Sequence, residues 1–309
     1  MLARTADSLF WLARYNERAG NLARALASSL RMASLTTMDG EDGEWRHLLV
    51  ASGTDTSFRG RYEECSGRAA VEWLTLDTGN PSSIASCLEA ARRNARTVRT
   101  ALTVDMWEAV NDTWIALHRL GSDAVQDDQL PGFLDWVKSR TLAFNGAAAD
   151  TMLRDDAWRF THLGTMLERA DNTARLLDTR HILFGPQHPE YHLQCQAVLR
   201  SLSALRAYQY MYRSRIEPSR VAELLLLRRE MPRSLRFCYM RLDRTLADIE
   251  AEETLICGDC RTISSGLLAR VSGRPVADIL TPGLHGFLTA AINEHTRLGA
   301  EISRCFLNG

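Results

Sequence analysis

Apolar residues along this chain recur three and four positions apart. Leu12, Ala19, Ala23, Leu26 and Leu30 fall on such a register near the N-terminus, and a period of 3.6 residues marks an α-helix with one side turned to a core. The pattern predicts long helices over 5–35 and 155–184, with others near 43–65 and 190–213. Shorter ones are expected near 68–76, 104–120 and 131–148 in the first half, and near 219–228, 262–271 and 283–305 in the second. Pro81 and Pro232 are expected to open helices of their own, with Asn80 capping the first, because a first helical turn tolerates the N–H that proline lacks. Leu224–Leu227 is the best strand candidate, but it is short and lies inside a helical pattern. Segments 36–44 and 183–190 read as loops. Gly and Pro together make 27 of 309 residues, below their usual share of roughly 12%. The expectation is an all-α fold.

A second pattern has a far longer period. Residues 13–26 and 164–177 share Glu17/Glu168, Arg18/Arg169, Ala19/Ala170, Asn21/Asn172, Ala23/Ala174, Arg24/Arg175 and Leu26/Leu177. That is seven identities in fourteen positions at an offset of 151, where chance supplies about one. The same offset aligns Pro81, Ser83 and Cys87 with Pro232, Ser234 and Cys238, and Pro131-Gly132 with Pro282-Gly283. The chain therefore reads as a tandemly duplicated helical bundle with two pseudo-symmetric halves, 1–151 and 152–309, packed as one unit.

Composition narrows the function classes. With 37 basic and 38 acidic side chains the net charge is −1, so a nucleic-acid binder, which carries a clear basic excess, is not expected. Nine arginines between Arg206 and Arg241, interleaved with Tyr208, Tyr210 and Tyr212, make the middle of the second half locally basic. Acidic residues elsewhere balance them, and a mixed charged face is the simpler account. No apolar run approaches the roughly 18 residues that span a bilayer, so no membrane partner is expected. The N-terminus lacks the apolar core of a leader peptide, and seven scattered cysteines suit reduced thiols in the cytoplasm.

The repeated motif carries the candidate chemistry. Glu17, Asn21 and Arg24 stand at i, i+4 and i+7 and share one helical face, which Arg14 extends by a turn. Glu168, Asn172 and Arg175 repeat it, with Thr165 in place of Arg14. Such a face could bind a zwitterionic group through Arg14, Asn21, Arg24, Asn172 and Arg175, with Glu17 or Glu168 as a general base. It could equally be a structural network, for instance Glu17 with Arg175 and Glu168 with Arg24, since buried charges need partners. Cys257-Gly-Asp-Cys260 has no second ligand pair for zinc, and no paired Glu-x-x-His marks a di-iron bundle. Phosphate-loop and nucleophile-elbow patterns are absent, so neither metal nor cofactor is expected.

RTADSLFWLARYNERAGNLARAL at 4–26, NPSSIASCLEAARRNARTVRTAL at 80–102 and RDDAWRFTHLGTMLERADNTARLLD at 154–178 resemble the bacterial alpha-E domain family, as do 213–242 and 282–299. The resemblance implies a helical accessory protein of an ATP-grasp amidoligase system for peptide-bond or amide-bond synthesis or peptide modification. Its partners would be a circularly permuted ATP-grasp protein and a transglutaminase-like peptidase, with a peptide as substrate. An enzyme of the same pathway, an aminoacyl or peptidyl transferase or hydrolase, is the alternative. The family's glutamate maps to Glu17 or Glu168. Gly286 stands where an acidic residue is expected after Gly283-Leu284-His285.

Overall fold

The computed structural model describes residues 1–34, 40–126, 128–180, 191–252 and 258–307. Among them are fifteen α-helices and no strand. The chain forms two compact units, Met1–Thr165 and Met166–Asn308.

In the first unit α1 (Ala3–Ala33) is the central element. It packs against α5 (Ile84–Thr97) and α7 (Leu130–Thr151), and also against α2 (Gly40–Ala51). The remaining helices are α3 (Asp55–Arg59), α4 (Gly67–Thr75), α6 (Val104–Arg119) and the start of α8 (Asp156–Asp178). Leu9, Leu12, Ala19, Ala23 and Leu26 of α1 are sealed, but so are Asn16, Glu17, Asn21 and Arg24 on its polar side. A helix buried on several faces must approach its neighbours closely, and small residues permit it. A Cβ on Gly20 would lie 2.7 Å from Thr141 Oγ1 of α7, and one on Gly164 of α8 would lie 2.2 Å from the Phe10 carbonyl oxygen of α1.

The second unit holds the rest of α8 and α9 (Tyr191–Ser201), α10 (Leu205–Tyr212), α11 (Pro218–Leu227) and α12 (Leu235–Glu252). It closes with α13 (Cys260–Val271), α14 (Ala277–Leu280) and α15 (Leu284–Ile302). Helix α13 packs on both α12 and α15. Leu224–Leu227 is helical, within α11.

Two expected helices are broken, each by the same device. The span 43–65 divides into α2 and α3 at Gly53, whose φ is +71°. Gly53 N–H donates to the Val50 carbonyl at 3.0 Å and Thr54 N–H to the Leu49 carbonyl at 3.0 Å, the paired bonds that stop a helix on a left-handed residue. The span 190–213 divides into α9 and α10 at Ser203, with φ +53° and the matching bonds Ser203 to Arg200 and Ala204 to Leu199. Periodicity alone does not register one left-handed residue between two helices of the same phase.

Pro81 and Pro232 do not open helices. They sit in the preceding turns, and Ser83 and Ser234 are the caps: Ser83 Oγ accepts from Ser86 N–H at 3.1 Å and Ser234 Oγ from Phe237 N–H at 3.0 Å. Asn80 instead braces its turn, accepting from Ser82 N–H and donating to the Trp73 carbonyl at 2.9 Å each.

The 2.2 Å approach at Gly164 is to backbone, which cannot turn aside. Gly164→Ala is expected to lower the unfolding free energy by about 1–3 kcal/mol through overpacking, measured as a shift of the urea midpoint. An unchanged midpoint would show that the two helices can separate freely.

Candidate functional site

In the first unit the motif face is a buried polar cluster. Glu17 is 1% exposed. Its carboxylate lies 3.6 Å from Arg24 Nη2 and accepts from Asn145 Nδ2 of α7 at 3.3 Å. Arg24 also donates to Asn21 Oδ1 at 2.6 Å, so the expected triplet is brought together within one helix. Asn16 completes the link to α7 by donating to Asn145 Oδ1 and to the Thr141 carbonyl, both at 3.3 Å. Arg14 lays its guanidinium over the rings of Phe10 and Trp11, 5.6 and 4.9 Å from their centroids. Thr165, its counterpart, donates to the Thr161 carbonyl within α8.

The arginine that follows each motif glutamate has the same task in both units. Arg18 donates to Ser82 Oγ at 3.4 Å, and Arg169 to the Pro232 carbonyl at 3.5 Å. Each thereby reaches from the motif helix to the turn before α5 or α12. Thr173 reinforces the second link by donating to the Arg233 carbonyl at 2.9 Å. The Glu-Arg pair is therefore part of how each unit closes.

In the second unit Glu168 is buried, and a polar cluster joins Arg175 of the motif to Asp171, His295 and Tyr239, which are not among the repeated residues. Arg175 donates through Nε to Asp171 Oδ2 at 2.7 Å. Asp171 Oδ1 is 3.4 Å from His295 Nδ1 on α15, and His295 Nε2 is 2.7 Å from the Tyr239 hydroxyl on α12. Tyr239 is 1% exposed and His295 2%, whereas the Asp171 side chain is 19% exposed. Burial pushes the Asp171 carboxyl upward, but the hydrogen bond and charge of His295 and the Arg175 guanidinium outweigh it and hold the group well below the usual carboxylate range. Burial, with the charges of Cys238 and Asp171, pushes Tyr239 well above an ordinary phenol. Tyr239 therefore keeps its proton, and its hydroxyl shares a hydrogen bond with His295 Nε2.

Sequence reasoning missed Asp171, Tyr239 and His295. They come from three helices, and at the 151-residue offset their counterparts are Gly20, Leu88 and Phe144. Comparison of the halves for difference rather than identity would have exposed them. Asn172, one turn beyond Glu168, has a buried Nδ2 with no acceptor among the described residues.

No group of three metal-ligating side chains occurs among the described residues. Cys257 of the Cys-x-x-Cys pair lies outside them, and no disulfide joins two of the six described cysteines. No described helix is long and apolar enough to cross a membrane.

A helical protein in which each unit carries a buried glutamate followed by an arginine that reaches a neighbouring turn is the class these features define. A family model described as a predicted α-helical domain with a conserved ER motif matches residues 1–307, and the chain belongs to this alpha-E family. Among curated proteins it is similar to an uncharacterised protein of Mycobacterium bovis, 27% identical over 267 residues. Uncharacterised proteins of two Mycobacterium tuberculosis strains match at 27% and 26% over the same length. Each match covers 80% of this chain but only 30% of the relative. No solved structure matches.

Two outcomes test the Asp171–His295–Tyr239 relay. Tyr239→Phe strips Nε2 of its buried partner and is expected to cost about 1–3 kcal/mol of unfolding free energy, whereas equal stability would mean the contact is incidental. Asp171 has a folded pKa below its unfolded value of about 3.9, so its stabilisation is complete above that pH and is lost as pH falls through the folded value. The stability gap between wild type and Asp171→Asn should accordingly be flat from about pH 5 upward and shrink below about pH 4. A gap that widens on acidification would reverse the assignment.

Proposed function

We propose that this protein is a non-catalytic helical partner of an ATP-grasp amidoligase system, acting in the cytoplasm in peptide-bond or amide-bond synthesis or peptide modification. It would dock a circularly permuted ATP-grasp protein or hold its peptide substrate, alongside a transglutaminase-like peptidase. The observation that carries this reading is the sealed state of the motif. Glu17 is buried against Arg24 and Asn145, and Arg18 and Arg169 tie their helices to neighbouring turns. A general base must reach a substrate proton within hydrogen-bond distance, and a carboxylate so enclosed serves packing better. The curated relatives, of which this chain covers 30%, fit a helical module that works beside further domains.

One observation favours the alternative, an aminoacyl or peptidyl transferase or hydrolase with Glu17 or Glu168 as base. It is Nδ2 of Asn172, a buried donor of the second motif with no acceptor among the described residues.

Reconstitution separates the two. Amide-bond formation by the ATP-grasp protein is measured with and without this chain, and with a folded Glu17→Gln/Glu168→Gln double variant. Stimulation by wild type and an equal stimulation by the double variant are expected. A loss of about 10²-fold or more in the double variant, the usual contribution of a general base, would establish the enzyme reading. No complex and no stimulation would overturn the partnership.

A further inference from the structure

The second unit contains an open cleft of about 510 Å³ away from the relay, where the end of α11 and the turn into α12 face the turn after α13. That volume lies within the range of small-molecule sites. Four guanidinium groups line it, those of Arg228, Arg229, Arg236 and Arg274, against two carboxylates, Glu223 and Glu230. The carboxylates are already committed. Glu223 pairs with Arg228 at 2.5 Å and Glu230 with Arg229 at 3.1 Å. Among the described residues Arg236 and Arg274 donate to backbone alone, at 3.3 Å to the carbonyls of Leu227 and Arg270.

Those carbonyls are at the C-terminal ends of α11 and α13, each worth about half a negative charge. Set against four cations and two carboxylates, they leave the cleft with about one net positive charge. The donors are likewise in surplus: Nε of Arg228 and Nε of Arg236 are buried and have no acceptor among the described residues. Buried donors of this kind are normally satisfied, and a planar guanidinium presents its N–H groups in the fork that carboxylate and phosphate oxygens fit.

A structural explanation would require the turn itself to need these cations. The first unit argues otherwise. At the 151-residue offset Arg228, Arg229, Arg236 and Arg274 face Asp77, Thr78, Ala85 and Asp123, with no cation among them. Yet the turn is built in the same way. Asn80 N–H donates to the Asp77 carbonyl and Met231 N–H to the Arg228 carbonyl, both at 3.2 Å, before the capping serines Ser83 and Ser234. The first unit thus forms the same turn without these four arginines, with Asp77 held instead by Arg61 and Tyr62.

We propose that this cleft binds a small oxyanion, a carboxylate or a phosphate, with Arg236 and Arg274 as its principal contacts. The apolar part of the ligand lies against Leu227, Pro275 and Val276, which form the rest of the wall. Arg228 and Arg229 are neutralised by their glutamates, so the positive charge of the cleft comes from Arg236 and Arg274. The site is separate from the motif and does not depend on the partnership proposed above.

Calorimetric or NMR titration of the full chain at low ionic strength tests this with three probes: inorganic phosphate, N-acetyl-leucine, and the neutral N-acetyl-leucinamide as control. Saturable binding of phosphate or N-acetyl-leucine at about 1 mM or tighter is expected, with no binding of the amide. Binding of phosphate alone would identify a phosphoryl ligand, and preference for N-acetyl-leucine a carboxylate with an aliphatic neighbour. Arg236→Gln and Arg274→Gln should each weaken the bound anion about tenfold or more. Arg274 is exposed, so its variant preserves the fold even if loss of the α11 contact disturbs that of Arg236. Failure of both anions to saturate, equal binding of the amide, or undiminished affinity in Arg274→Gln would overturn the site.

Discussion

The interior charge on α1 is the constraint from which the first unit is built. Removing a carboxylate and a guanidinium from water costs several kcal/mol for each ion unless partners replace the lost solvation. Glu17 and Arg24 meet that demand with each other, with Asn21 on the same helix, and with Asn145 on α7. The partnership works only if α7 comes close, and Gly20 opposite Thr141 permits that approach. One buried ion pair thus dictates the small residues around it and the amides facing it. It also explains why a helix sealed on its apolar side is sealed on its polar side as well.

Several local features recur in the two units, while the residues between them differ. The order of long and short helices, the left-handed break after α2 and α9, and the serine caps of α5 and α12 recur at an offset of about 151 residues. We infer a tandem duplication from that recurrence. Within the shared frame, the first unit places Asn16, Thr141 and Asn145 where the second has Leu167, Ile292 and Thr296, and Gly20, Leu88 and Phe144 where the second has Asp171, Tyr239 and His295. Polarity has moved from one set of interior positions to another. What both units keep is the arginine link from the motif helix to the turn before α5 or α12.

The helical class and most helix positions were legible because apolar spacing of three and four is a local signal that burial enforces along the whole of α1 and α12. The breaks at Gly53 and Ser203 were not, since one residue of positive φ interrupts a helix without changing its periodicity. Nor was the exchange of Asn80 for Ser83 as the cap, because both residue types cap helices and only the turn geometry decides. The candidate site was half legible. Glu17, Asn21 and Arg24 share a face by arithmetic, but their burial depends on α5 and α7. His295 and Asp171 meet only through the packing of α15, 124 residues further along the chain. No spacing rule reaches that far.

The asymmetry bears on where selection for function acts. A residue retained at equivalent positions in two copies of a fold has a sufficient explanation in the fold itself, and the Glu-Arg pair, through its links to the turns, has one. A buried relay present in a single copy has no such explanation, because the other copy folds around Leu88 and Phe144 at the same places. The cleft arginines, three around the α11–α12 turn and Arg274 after α13, likewise have no cation at the corresponding positions Asp77, Thr78, Ala85 and Asp123. Interior charge is costly to introduce where an apolar core already suffices. Polar groups found in one unit alone therefore mark where the two units differ, structurally for Asn16 and Asn145 around Glu17 and in the oxyanion site proposed above for the arginine cleft.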